Sequence, residues 1–369
     1  MIQKLILTIS GFLIRLESRF GLLFSSFIIA TLMLALAMIY VQPIFTVAFH
    51  GIQFSALSEN PFDLSTPNPL RYRILTPLIG YLLFLRGDCF FILPLLATWI
   101  FPAIIYYRYR RKNFEAIDAF FLTCFISFSC VLLLPLVAPA YTDIVTWLFI
   151  FLAFSFAEKT PLSALFFSFA LLNHESSFVM LPALLLFSYY KNKHAIFKTL
   201  LLFFIACIPH LCYRWYVHIN AETTYNVSFY LSKGNIFFTM KKLVIFLPAA
   251  FFYCFKLWWI FPVYFTAWAG YQKKYIEFSI LLLIITGGLS LVVIGYDYTR
   301  MLVIAFPAVL LSYEWMMKQF EAEKFRKFTF LLILLNFLIL QYHFNYDGAQ
   351  PMFPWILNKV SERFGIPLV

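Results

Sequence analysis

Charge is what this chain has least of: Asp, Glu, Lys and Arg make up 12% of its 369 residues, about half the roughly 25% of an ordinary soluble domain. That scarcity excludes a soluble globular protein. The alternation of polar and apolar residues that a transmembrane strand needs is also missing, because the apolar runs are apolar on every side, which excludes a membrane β-barrel. Six cysteines (Cys89, Cys124, Cys130, Cys207, Cys212, Cys254) include no C-x-x-C pair, so neither a zinc site nor a disulfide framework is expected. His174-Glu175 begins like a zinc-protease motif, but the second histidine four residues on is replaced by Phe178. The HExxH reading therefore fails. There is no glycine-rich phosphate loop and no nucleophile-elbow serine. Nor is there a matching pair of glycine-interrupted helices in two halves of the chain, the sign by which many transporters are recognised.

What is abundant is apolar surface, with 63% hydrophobic and 21% aromatic residues. Runs near the 20 residues needed to cross a bilayer recur from Gly21 onward. Hydropathy places spans near residues 21–41, 89–107, 117–137, 141–157, 161–173, 177–190, 195–217, 243–270, 276–294, 301–317 and 328–344, about eleven crossings of an all-α polytopic membrane protein. The first run carries an A-x-A-like Ala35-Leu36-Ala37 but continues to Val41, so a retained helix is expected rather than a cleaved signal. The net charge of +11 comes from short basic clusters between the runs, the pattern by which positive residues hold loops on the cytoplasmic side. A nucleic-acid partner is not indicated. With the N-terminus inside, Lys4, Arg15, Arg19, Arg108, Arg110, Arg111, Lys112, Lys159, Lys191, Lys273, Lys274 and Lys318 also fall inside. The chain is expected to be one membrane domain, 1–369, in a bacterial inner (plasma) membrane.

That orientation requires residues 42–88 to form a long first outer loop. Ile74–Leu85 is too short to span comfortably and reads as an interfacial helix, started by Asn68 as cap and Pro69 at the first helical position and bent at Pro77. A second interfacial helix is expected over Ile44–Leu57, with Thr46, His50 and Gln53 on its polar face.

The polar residues with no topological job then gather on the outer side: His50, Glu59, Asp63, Arg71 and Arg73 in the first loop, Asp143 in Ala138–Asp143, His174-Glu175 in the third loop, and Asp297 and Arg300 in Tyr296–Arg300. Ionisable groups in so apolar a chain are functional candidates, and each has a plainer alternative. Asp143 suits a helix N-terminus as well as a general base. Asp63 suits a turn. Asp297 and Arg300, three apart, suit a surface pair as well as an anion site, where an Arg fork matches phosphate oxygens. Arg71 and Arg73 suit lipid-headgroup anchors or a lipid-linked phosphate. His174-Glu175 suits a turn cap, a sugar hydroxyl or a divalent cation.

The segments Asn68-Pro69-Leu70-Arg71-Tyr72-Arg73-Ile74-Leu75-Thr76-Pro77, Tyr141-Thr142-Asp143, Asn173-His174-Glu175 and Asp297-Tyr298-Thr299-Arg300, set in this topology, resemble the organisation of the GT-C fold membrane glycosyltransferases. The acidic residue that many members carry at the end of the first helix is absent, since Val41-Gln42-Pro43 stands there. The resemblance implies transfer of a sugar from a polyprenyl-phosphate donor to an acceptor on the extracytoplasmic face. It implies Asp143 or Asp63 as base, Arg300 and Arg73 on the donor phosphate, and His174-Glu175 on the acceptor or a divalent ion. A transporter or flippase for a lipid-linked or anionic solute, and a non-catalytic envelope-assembly subunit, are the competing expectations.

Overall fold

The computed structural model describes residues 1–47, 50–64, 70–192, 196–221, 233–295, 297–345 and 347–352, with the backbone alone for 233–240 and 294. In chain order the helices are α1 (Ile2–Phe20), α2 (Leu22–Tyr40), α3 (Gly51–Glu59), α4 (Leu75–Leu82), α5 (Ile92–Arg111), α6 (Ala116–Ser127), α7 (Cys130–Val137), α8 (Asp143–Ser155), α9 (Thr160–Asn173), α10 (Leu181–Lys191), α11 (Ile196–Asn220), α12 (Lys233–Phe255), α13 (Ile260–Tyr271), α14 (Tyr275–Ile294), α15 (Tyr298–Val303), α16 (Phe306–Met316) and α17 (Ala322–Leu338). Every apolar run of the sequence contains helix. Length separates them: among the described residues five helices are long and apolar enough to cross a membrane, and α6 with α7, bent by 43°, makes a sixth if counted as one span. Helices such as α8 and α9 are apolar but short. The fold is thus a helical membrane bundle with five or six such spans, rather than eleven of equal standing.

Three local expectations need correction. The second interfacial helix begins at Gly51, not Ile44, and runs on to Glu59. Its start is set by a close approach, because a Cβ at Gly51 would lie 2.7 Å from the Ala140 Cβ and 2.8 Å from the Pro139 carbonyl. Helix α4 begins at Leu75 with Ile74 as its cap; Asn68 and Pro69 lie outside the described residues. Pro77 therefore sits in the first turn, where its missing N–H is one of the donors that lack a helical partner anyway, and it bends nothing. Finally, the last run does not stay helical. Helix α17 stops at Leu338, and β1 (Gln341–Asn345) pairs antiparallel with β2 (Gly348–Met352), a single hairpin beside a bundle that is otherwise helical, as expected. Asn345 Oδ1 accepts the Asp347 and Gly348 N–H groups, and Gly348 has φ 133°, the turn chemistry of an Asx-Gly segment.

This hairpin is held by a break in the bundle. Between α12 and α13 lies a 3₁₀ turn, Lys256–Trp259, which opens with Lys256 at φ 52°. The buried Lys256 ammonium donates to the Tyr40 hydroxyl at 2.9 Å and to the carbonyls of Asn336 (3.2 Å) and Ile339 (2.7 Å). A cation thus closes the carbonyl end of α17, and the ends of α2 and α17 are tied together where the strand begins. Gln341 Nε2 then donates to Tyr253 O, and the Phe344 N–H to Thr299 Oγ1 at 2.8 Å, seating β1 on α12 and α15.

Charges divide the bundle into two ends. Arg108 reaches Ser155 O, Arg110 pairs with Glu17, Lys112 with Glu314, Lys191 with Glu158 and Arg326 with Asp118. These contacts gather the C-termini of α5, α8, α10 and α16 with the N-termini of α6, α9 and α17. Because α8 carries Ser155 at this basic end, its other terminus, Asp143, lies at the opposite one.

Candidate functional site

The opposite end collects side chains from six separate segments. Antiparallel α8 and α9 bring the start of one beside the end of the other, so Asp143 and His174 become neighbours through local chain geometry. Asn173 fixes them there. Fully buried, it donates to Thr142 O and Thr146 Oγ1, both at 2.7 Å, and its Oδ1 accepts the Thr76 N–H at 3.2 Å and the Thr76 hydroxyl. One amide thereby ties the N-terminus of α4 to that of α8. Asn173→Leu would leave those buried groups unpaired, at about 1–3 kcal/mol each. The expected result is a clear drop in melting temperature of the detergent-solubilised protein. An unchanged melt would show that the amide is not needed to hold these helices.

His174 caps the following 3₁₀ turn, Glu175–Met180, its Nδ1 accepting the Ser176 N–H at 3.1 Å. A neutral ring with Nδ1 as acceptor carries its proton on Nε2. That atom lies 3.6 Å from Asp143 Oδ1, too far for a hydrogen bond, and it is buried without a hydrogen-bond partner. Asp143 Oδ2 faces Arg300 Nη1 at 3.9 Å. Among the described residues no hydrogen bond closes on either Asp143 oxygen, although the side chain is 9% exposed. Thr142, not Asp143, is the cap of α8, and it makes no side-chain cap bond. The carboxylate is therefore not occupied as a helix cap, and it sits between an imidazole N–H and a guanidinium with acceptor capacity to spare.

The cations come from further away in sequence. Arg73, just ahead of α4, makes a two-pronged pair with Glu175 at 2.9 and 3.1 Å. The Glu175 side chain is 37% exposed, and its Oε2 lies 3.6 Å from His174 Nδ1. Arg300 pairs through Nε with Asp297 at 3.4 Å and lies over the Tyr141 ring at 5.1 Å. Asp297 does three things: it caps α15 by accepting the Arg300 N–H at 3.1 Å, it pairs with the Arg300 side chain, and it meets His343 Nε2 of β1 at 3.2 Å. His50, in the turn before α3, places its ring 5.8 Å from Tyr141. The side of α14 that meets the Glu175–Met180 turn is cut close, since a Cβ at Gly287 would lie 2.8 Å from Val179 O.

Of the residues singled out from sequence, the structure thus brings together Asp143, His174, Glu175, Arg73, Arg300, Asp297 and His50. The contacts described for the other three, Glu59, Arg71 and Asp63, lie elsewhere: Glu59 stands against Gly87, where a Cβ would come within 2.7 Å of its Oε1. Arg71 is buried in its own loop, donating to Leu64 O at 3.1 Å while its carbonyl accepts the Tyr213 hydroxyl. Asp63 lies in the turn after α3, its N–H donating to Asn60 O, and the described contacts do not take it to the cluster. Sequence reasoning missed Asn173, Tyr141 and His343. The first two stand beside residues that were singled out; His343 arrives on a hairpin whose Asp347-Gly348 signal lay at the edge of an apolar run.

Burial and the Arg73 charge push His174 down to about 4, so it is neutral at pH 7. Burial works against the Glu175 charge, but Arg73 and His174 outweigh it and hold that carboxyl well below its usual range. Asp297 is likewise pushed up by burial and more strongly down by His343 and Arg300. Burial and the Arg300 charge also lower His50. The donor set does not suit the divalent cation that the sequence left open, because the Asp143, Glu175 and Asp297 carboxylates each already face a guanidinium. Among the described residues no group of three or more His, Cys, Asp or Glu is placed to hold a metal.

The His174 position has a pH consequence. Unfolded, its ring takes a proton near pH 6.5; folded, it takes one only near 4. The native state binds fewer protons between these values, so stability falls as pH drops from about 6.5 to 4, by up to about 3 kcal/mol. The depressed carboxylates begin to lose their contribution only near the bottom of that window, as pH approaches their unfolded values, and go on losing it below. His174→Gln should flatten the melting curve of the purified protein between pH 6.5 and 4.5, and an unaltered slope would place the imidazole outside this burial.

Compared with known proteins, the chain matches no family model, no curated protein and no solved structure.

Proposed function

We propose that the protein is a membrane glycosyltransferase of GT-C-like organisation, transferring a sugar from a polyprenyl-phosphate donor to an acceptor on the extracytoplasmic face. The observation that carries this reading is the Asp143 carboxylate, held between His174 Nε2 and Arg300 Nη1 with no hydrogen bond closed on it among the described residues, at the bundle end opposite the basic one. The excess of Lys and Arg at that other end supports a cytoplasmic placement for it, and hence an outward-facing site. On this reading the eleven apolar runs all cross or re-enter the membrane, the short ones packed inside the bundle.

The chemistry follows from the charges. The acceptor hydroxyl gives its proton to Asp143 as its oxygen bonds to the anomeric carbon, and the bond from that carbon to the phosphate oxygen breaks with its electron pair. The products are the glycosylated acceptor and polyprenyl phosphate, whose new negative charge is met by Arg300. His174 Nε2–H orients the acceptor oxygen toward Asp143. Asp297 and His343 fix the guanidinium from behind, and Arg73, steadied by Glu175, adds the second positive charge.

The test is release of polyprenyl phosphate from a polyprenyl-phosphate sugar by the purified chain in lipid nanodiscs, with candidate acceptors added in turn. Acceptor-dependent release supports the transferase. Donor passage across a sealed bilayer with no cleavage would replace it with a flippase.

A further inference from the structure

Arg214 stands outside the cluster just described. Arg214 lies on α11, the 25-residue helix that runs from beside the basic end toward the site end. Its height is fixed by its neighbour Tyr213, whose hydroxyl donates to Arg71 O at 3.0 Å. Arg214 is half-buried and its guanidinium lies over the Tyr72 ring, 4.7 Å from the centroid. Among the described residues no carboxylate comes within ion-pair distance of it. The surface beside it is apolar and open: Leu211, Trp215 and Ile219, spaced four apart on one stripe of α11, are 50%, 68% and 58% exposed. In a membrane that stripe faces lipid.

A guanidinium without a carboxylate, set in a lipid-facing stripe, is costly unless an anion from the membrane meets it. A flat guanidinium held on an aromatic face keeps its fork of donors turned outward for phosphate oxygens. Trp and Tyr flanking it, Trp215 and Tyr216, are the residues that settle at headgroup depth. The triplet Arg71-Tyr72-Arg73 joins this place to the site, since Tyr72 carries Arg214 and the next residue, Arg73, pairs with Glu175.

We propose that Arg214 and Tyr72 form a docking place for the phosphate of a membrane-embedded lipid, at the lipid-facing flank of the site. The ligand chemistry is a phosphate on a long apolar chain. Its commitment to a polyprenyl phosphate rather than a bulk phospholipid rests on the proposed function; its location rests on α11 and the triplet alone. A lipid held here has its head one residue from Arg73, so it can move from membrane to site without leaving the bilayer.

Equilibrium binding of undecaprenyl phosphate to the full chain in phosphatidylcholine nanodiscs tests this. The wild type should bind saturably, Arg214→Gln at least tenfold more weakly, and Tyr72→Leu several-fold more weakly. Arg214→Lys, which keeps the charge, should fall between. Undecaprenol should not compete. Full competition by inorganic phosphate would overturn a membrane-borne ligand, and equal competition by phosphatidylglycerol would overturn the polyprenyl choice. Unchanged binding by Arg214→Gln would overturn the docking place itself. Arg214-dependent binding by a chain that transfers no sugar would sink the transferase reading alone, and transfer by a chain whose binding ignores Arg214 would sink this inference alone.

Discussion

Asp143→Asn should abolish sugar transfer, by at least a hundredfold in turnover, while leaving the folded yield close to that of the wild type. The size follows from the contribution of a positioned general base, commonly 10²–10⁴. The change is one of isosteric replacement: the amide fills the same space beside His174 and Arg300 but loses the negative charge and with it the capacity to take a proton. Folding is expected to tolerate it. Asp143 makes no side-chain cap bond in α8, and the charge it offers the helix N-terminus is worth about 0.3–1 kcal/mol. Arg300 keeps its partner Asp297 at 3.4 Å. The measurement is turnover of a polyprenyl-phosphate sugar beside a size-exclusion profile of the same preparation. A variant that folds and still turns over would move the base elsewhere, and Glu175 is a poor substitute because Arg73 already holds both of its oxygens.

That Asp143 stood out in the sequence, whereas its surroundings did not, has a physical basis. The link between α8 and α9, residues 156–159, is short, so two antiparallel neighbours bring Asp143 and His174 to the same end, away from the basic residues. The same reasoning located Glu175. Arg73 and Arg300 could be assigned to that end but not to each other's company, because nothing local records that Ile74 caps a helix packed on α9 or that α15 turns its first residues inward. His343 was further out of reach. It belongs to an apolar run until Asn345, and only the turn that follows makes it a strand. The number of crossings is legible only in part for a different reason: hydropathy measures how apolar a run is, and Asp143–Ser155 and Thr160–Asn173 are apolar at lengths that do not by themselves span a bilayer. Asp63, a loop carboxylate with Pro and Asn around it, suits a turn as well as a base, and composition alone does not choose between the two.

The cluster also shows why its charges are tolerable in so apolar a chain. The Asp143, Glu175 and Asp297 carboxylates face the Arg73 and Arg300 guanidiniums, with His343 beside Asp297. Taking such groups from water is costly unless they are paired, and here each cation serves more than one purpose. Arg73 is held at both oxygens of Glu175, a geometry that fixes its fork. Arg300 is held less tightly, at 3.4 and 3.9 Å and with its Nε lacking a hydrogen-bond partner. Of the two, Arg300 retains more donor capacity, and it is therefore the one to meet a developing phosphate charge.

Arg300→Ala should then lower kcat/KM for the lipid-linked donor by about 10²–10³, the usual cost of removing a donor aimed at transition-state charge. The loss should fall on both parameters. Ground-state donor binding weakens because a phosphate contact is gone, which raises KM, and turnover falls because leaving-group charge rises during the reaction. The KM of the acceptor should hardly move, since the acceptor is held by His174 and Asp143. Arg300→Lys restores the charge without the planar fork that spans Asp143 and Asp297, so it should recover only part of the loss. Truncation also strands buried carboxylates, and a folding defect has to be separated from a catalytic one. Asp297→Asn does that: it keeps Arg300 but removes the partner that joins it to His343, and a smaller loss confined to turnover is expected, with the melting temperature read alongside. If Arg300→Ala instead left donor dependence intact and altered only the acceptor, the phosphate would belong to Arg73. The direction of transfer across the cluster would then be reversed, with the donor on the Glu175 side and the acceptor on the Tyr141 side.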